Sequence, residues 1–178
     1  MGRSRYKFHE LHYPYFITSS VVKGLPLFMH PALTHIICEA LRYMQQENKV
    51  SLHAYVIMPN HIHLIAEHEQ LPDMLARFKS FTARSIVDHL KDYNRHRYLS
   101  LLKFGKLKHH RDSEYQVWQE GLHPKQLFTA GMVEQKMNYI HFNPVKAGFV
   151  DSPNDWRYSS ARSYAGQDGV IPVKGFGE

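Results

Sequence analysis

Residues 15–22 are dense in β-branched and aromatic side chains and predict a first strand, closed by Gly24 and Pro26. From residue 31 to 48 the apolar positions Leu33, Ile36, Ile37, Ala40, Leu41 and Met44 recur at helical spacing, so an amphipathic helix follows. Residues 50–58 and 61–68 are two apolar runs broken at Pro59-Asn60. Pro suits the second position of a tight turn and Asn tolerates the next, so these runs predict an antiparallel hairpin. A second helix is expected over 72–93, with Leu75, Phe78, Thr82, Ile86, His89 and Tyr93 following one face. A fourth strand near 115–119 would complete a βαββαβ unit. The fold class expected is therefore α+β, a ferredoxin-like antiparallel sheet with both helices on one face. A third helix is expected over 128–143, marked by Phe128, Met132, Gln135, Tyr139 and Asn143, with Pro144 and Gly148 as stop signals. The extension 151–178 predicts a short helix and a final strand at 170–173. No repeat or domain boundary interrupts the pattern, so residues 1–178 read as one domain with its core in about 15–150.

Composition narrows the partners. With 43 % hydrophobic and 13 % aromatic residues the chain has the makings of a packed core, and at 178 residues it buries ~70 % of its unfolded surface. Its formal charge of +6, before counting 14 histidines, points to an anionic partner, nucleic acid first. The lone Cys38 excludes an intramolecular disulfide and a cysteine zinc cluster. No apolar run approaches a membrane span and no signal-peptide core precedes the first strand, so no membrane partner and a cytoplasmic location are expected. The excess charge is concentrated: residues 84–111 hold eight Lys or Arg against Asp88 and Asp92, with Tyr93, Tyr98 and Phe104 interleaved. Basic residues with aromatics suit a phosphate backbone and unpaired bases. Arg84, Arg95, Arg97, Lys103, Lys106, Lys108, His109, His110 and Arg111 are the candidate DNA contacts, joined by Trp118 and Arg157; Arg3, Arg5 and Lys7 are weaker candidates at the N-terminus.

The candidate chemistry starts at His61-Ile62-His63. Side chains alternate along a strand, so both imidazoles share one face while Ile62 and Leu64 point to the other. A His-x-His pair alone is a weak signal in so histidine-rich a chain. It gains weight from Tyr139 and Asn143, four apart on one helix face. If that face meets the open side of the sheet, two imidazole nitrogens and an amide oxygen can hold Mg²⁺ or Mn²⁺, with water and phosphate completing the shell. Tyr139 would stand beside it as a nucleophile, a role in which a phenol needs help because its pKa is near ~10.

His61-Ile62-His63 after "YVIMPN", together with "YIHFNPVKAGFV" at 139–150, resembles the single-tyrosine HUH transposases, most closely their REP-associated branch. The later "WRYSSARSY" at 156–164 resembles that branch too, and the likeness runs from about residue 15 to 164. The resemblance implies a ferredoxin-like fold with the tyrosine on a C-terminal helix. It also implies metal-dependent cleavage of single-stranded DNA near a hairpin, through a covalent 5′-phosphotyrosine. By position, His61 and His63 match the metal ligands, Tyr139 the nucleophile and Asn143 the third polar ligand. The stretch Glu120-Gly121-Leu122-His123-Pro124 departs from the relatives, which puts an extra acid–base group there in doubt. His141 reads as packing or a DNA contact. The branch implies a monomer, with a dimer as the alternative arrangement. A nuclease that uses water as nucleophile and a DNA-hairpin-binding protein whose chemistry has lapsed remain open at this point.

Overall fold

The computed structural model describes residues 8, 10–107 and 113–176. Arg3, Arg5, Lys7, Lys108, His109, His110 and Arg111 lie outside the described residues. Four strands form one antiparallel sheet: β1 (Tyr15–Ser20), β2 (Ser51–Met58), β3 (His61–Glu67) and β4 (Lys125–Gln126), in the order β2-β3-β1-β4. Helices α1 (Pro31–Gln46) and α2 (Leu71–Asp92) pack on each other over one face of it. This is the expected ferredoxin-like βαββαβ arrangement. Tyr15, Ile17, Ile62 and Leu64 point to that face and join Leu33, Ile37, Leu75, Phe78 and Ile86 in the main core.

The alternate residues of the same strands face the other way. Phe16, Ala54, Val56, Met58 and Ile65 form a second, smaller core with Val133 and Ile140 of α4 (Ala130–Lys146). Strand alternation therefore sets which residues meet α4, and His61 and His63 are among those on its side. Helix α4 starts at Thr129, whose side-chain oxygen accepts from the Met132 N–H at 3.2 Å. It ends where Gly148 takes φ +75°, with Gly148 N–H to the Val145 carbonyl and Phe149 N–H to the Pro144 carbonyl.

Several expectations need correction. Helix α4 runs past Pro144 to Lys146, because a proline so near the end removes only one helical N–H. Residues 115–119 make no regular strand. Trp118 forms an isolated bridge with Val21, while Lys125 pairs with Phe16 further along the same edge. Six residues from Phe16 to Val21 face eight from Trp118 to Lys125, so the edge bulges at 120–124. Lys79 Nζ holds this bulge by donating to the Gln119 and Gly121 carbonyls, each at 2.9 Å, and burial lowers its pKa to about 8. An unexpected helix, α3 (His96–Phe104), occupies part of the basic stretch and buries Leu99 and Leu102.

The C-terminal segment straps α4 to the sheet. Ser159 bridges Val56, and the Ile57 and Ser160 N–H groups exchange bonds with the Tyr158 and Tyr55 carbonyls at 2.9 and 3.0 Å. This covers the outer edge of β2, which would otherwise be left open. A short helix, α5 (Ala161–Tyr164), follows as expected. The expected strand at 170–173 does not form. Arg42 and Gln45 of α1 donate to the Val170 and Pro172 carbonyls instead, so those groups are unavailable for a ladder. Among the described residues no helix is long and apolar enough to cross a membrane.

Candidate active site

Four side chains from β3 and α4 converge on the second face of the sheet. The His61 and His63 rings lie 4.8 Å apart between centroids, and the Tyr139 ring stands 5.3 Å from His63. Asn143, one turn beyond Tyr139, hydrogen-bonds His61. Phe16 of β1 supports the group, 5.3 Å from His63 and 5.8 Å from Tyr139. The helix explains the alignment. Val133 and Ile140 point down into the smaller core, so Tyr139 and Asn143 occupy the adjacent stripe at its rim. Tyr139 is 38 % exposed, so its ring is anchored while a path to solvent stays open.

The histidines are prepared for coordination. His61 Nδ1 bonds Asn60 Oδ1 at 2.7 Å, and His63 Nδ1 bonds Thr18 Oγ1 at 2.8 Å. Asn60 Oδ1 can only accept, so His61 Nδ1 carries the proton and Nε2 the lone pair; His63 presents Nε2 in the same way when its Nδ1 donates to Thr18. Burial lowers the His61 pKa, opposed by the Asn143 hydrogen bond. His63 is pushed down to about 3 by burial first, then by His61 and Lys136. Both imidazoles are thereby kept neutral, the form that binds a cation. Among the described residues no three His, Cys, Asp or Glu side chains converge. A divalent ion at this place would therefore rest on two imidazoles and the Asn143 amide, leaving positions for water and phosphate oxygens. The donor set fits Mg²⁺ or Mn²⁺.

The other candidates are distributed elsewhere. Arg84, Arg95 and Arg97 are exposed on and around α2 and α3, in the layer behind the sheet, so they are not brought to the histidines. Lys103 pairs with Glu114 at 3.0 Å and Lys106 donates to the Ser113 carbonyl at 2.8 Å. Trp118 is not a surface residue: it is 5 % exposed, lies in the main core, and donates its indole N–H to Thr82 at 3.0 Å. Arg157 is exposed beside Trp156, whose indole N–H reaches the Ile57 carbonyl. His141 is packing. It is buried on the opposite flank of α4, with Nε2 2.9 Å from Ser160 Oγ. Thr18, Asn60, Lys136 and Lys146 belong to the site and were not singled out from the sequence. The two lysines were legible there, since 136, 139, 143 and 146 follow one helical stripe. Thr18 was not, because its place depends on the β1–β3 register.

Burial lowers the His141 pKa to about 4. The unfolded chain takes up a proton near pH 6.5 that the folded chain refuses until about 4. Its contribution is thus fully present above pH 6.5 and is lost as pH falls toward 4. At ~1.4 kcal/mol per unit this amounts to roughly 3 kcal/mol, and His63 acts in the same direction. Urea midpoints of the metal-free protein should drop between pH 7 and 4.5; a flat midpoint would contradict the buried, neutral histidines.

The family model described as Transposase IS200 like matches residues 26–141. The chain belongs to that family. A protein of Haemophilus influenzae that carries the name REP-associated tyrosine transposase is 27 % identical over 111 residues. The match takes in 60 % of this IS200-like chain and 56 % of that relative, little more than half its length. A solved REP-associated tyrosine transposase bound to a REP hairpin superposes with a TM-score of 0.65 at 16 % identity, covering 100 % of this chain and 94 % of that one. At that identity the likeness is one of fold, and it extends through the C-terminal strap of this chain.

Proposed function

We propose that this transposase is a metal-dependent DNA strand transferase that recognises hairpin-forming DNA and cuts an adjoining single strand through Tyr139. The observation that carries the reading is the placement of Tyr139 over His63, beside His61 and Asn143, within one chain. Family membership supports DNA processing, and the names of the relatives support REP-type hairpins as the DNA. Since α4 packs on the sheet of its own chain, a monomer acting in cis is the arrangement that needs no exchange of elements.

The Tyr139 oxygen attacks the scissile phosphorus, and its proton leaves to solvent along the exposed side of the ring. The bond to the departing 3′ oxygen breaks with its electron pair, and that oxygen takes up a proton. One strand end becomes a 5′-phosphotyrosine and the other a free 3′ hydroxyl. A divalent ion held by His61, His63 and Asn143 would supply Lewis-acid neutralisation of the phosphate. The ester keeps the energy of the broken linkage, so a second 3′ hydroxyl can reverse the step without ATP. Phe16 and Thr18 hold His63 in place, which fixes the direction of approach.

A labelled hairpin with an unpaired flank, incubated with Mn²⁺ and run on a denaturing gel, should yield a protein–DNA adduct. Annealing a complement to the flank should suppress it. A duplex resists bending into the site, and opening it costs ~1.4 kcal/mol per step in stacking. Cleavage without adduct would mean water is the nucleophile, and binding without cleavage would mean the chemistry has lapsed. A duplex flank cut as fast as an unpaired one would overturn the strand preference.

A further inference from the structure

Three lysines crowd the rim of the aromatic platform. Lys136 Nζ lies 4.7 Å from the Phe16 ring centroid and 5.1 Å from that of Tyr139. Lys146 Nζ lies 5.8 Å from the Tyr139 centroid, on the far side of Asn143 along the helix. Lys125 stands opposite Phe16 across the β1–β4 pairing, close enough to depress the Lys136 pKa, although burial is the larger cause. Among the described residues the ion pairs involve other side chains, so no carboxylate balances these three. Energetically significant cation–π contacts occur about once per 70–80 residues, whereas Lys136 and Lys146 make three here on two neighbouring rings. Like charges gathered without a counter-ion repel, and the arrangement is relieved when an anion enters.

We propose that Lys125, Lys136 and Lys146 form a phosphate cradle that receives the backbone of an unpaired nucleic-acid strand on both sides of Tyr139. It rests on the reading of Tyr139 as the strand-cleaving residue and adds where the strand lies. Lys136 precedes the tyrosine by one turn and Lys146 follows it by two. A strand held by both therefore crosses the tyrosine, and Lys125 extends the track from Lys136 over β4. Lysine suits the task because its ammonium is a compact charge with three donors on a flexible stem, able to follow a backbone without fixing sequence. The basic stretch at 84–106 lies in the opposite layer and offers no such track past the tyrosine.

The test is the salt dependence of binding of a short unpaired oligonucleotide to the Tyr139→Phe protein without divalent ion, where no chemistry intervenes. Lys125→Gln, Lys136→Gln and Lys146→Gln should each flatten the slope by ~0.7, and the triple variant by ~2. The triple Lys→Arg variant should keep the slope, because charge rather than packing is read. Unchanged slopes in the Gln variants would overturn the cradle, as would a loss in the Arg variant equal to that in Gln. Wild-type adduct formation, run in parallel, reports separately on the cleavage reading. Adduct with unchanged slopes sinks only the cradle, while flattened slopes without adduct sink the cleavage reading and leave a strand-binding groove.

Discussion

Tyr139→Phe is expected to abolish the protein–DNA adduct while leaving hairpin affinity within about twofold of the original. The variant deletes one oxygen. The ring keeps its neighbours, since Phe16 and His63 touch it edge-on and the lysines lie over its face. The side chain is partly exposed, and no buried partner is left stranded by loss of the hydroxyl. Folding should be unaffected, and melting within a degree or two of the wild type is the control. Removing a nucleophile from a site that otherwise stays assembled costs ~10⁴-fold or more in rate. Metal-dependent cleavage that persists without adduct at near the original rate would assign the chemistry to water and leave Tyr139 as a platform for the strand. A simultaneous collapse of binding would mean that the hydroxyl holds DNA rather than attacks it.

The sheet was legible in the sequence because its strands are short, strongly apolar and separated by clear breakers. Pro59-Asn60 marked the hairpin turn, and strand alternation put His61 and His63 on one face with Ile62 and Leu64 on the other. The fourth strand was legible only in part. Val117 to Gln119 have strand-like residues and do lie along the end of β1 and the residues just after it, but the pairing resumes at Lys125 after a bulge that periodicity does not encode. Helix α3 was hidden because its basic and aromatic residues invited a reading as a nucleic-acid surface, although Leu99 and Leu102 stand three apart. Trp118 was expected at the DNA, whereas it lies in the core and Thr82 receives its N–H.

For the site, the helix face mattered most. Phe128, Met132, Gln135, Tyr139 and Asn143 mark a stripe that flanks the buried one, and the residues that bury are Val133, Ile140, His141 and Pro144. Tyr139 and Asn143 reach the histidines because they lie at the rim of the packed face. Placed at its centre they would be inaccessible, and placed opposite they would face water. The reason "WRYSSARSY" accompanies the site also became visible only in three dimensions. Ser160 accepts the Tyr55 N–H at 3.0 Å and meets His141 of α4 at 2.9 Å, so the segment fastens the tyrosine helix to β2. Sequence separation concealed this, since the bonded partners are 105 and 19 residues apart.

His61→Ala, His63→Ala and the double variant should all lose metal-dependent cleavage to nearly the same floor, about 10³-fold down. That figure corresponds to several kcal/mol of charge stabilisation on the phosphate. Independent contributions would multiply, sending the double variant to ~10⁶-fold; groups that act through one ion reach the floor once either is gone. The two singles should differ in stability. His63 is 5 % exposed and is packed against Phe16, so its truncation leaves a void and an unpaired Thr18 hydroxyl, at about 1–3 kcal/mol. His61 sits at the half-exposed start of β3, where truncation costs less. Rates should therefore be taken well below the melting point of His63→Ala, alongside Mn²⁺ titration of each variant by calorimetry. Each single variant should already have lost measurable Mn²⁺ binding. If instead the double variant falls by the product of the singles, or His61→Ala still binds Mn²⁺ as tightly as the unaltered protein, the two imidazoles do not share an ion. Their closeness would then serve to keep the floor beneath Tyr139 rigid.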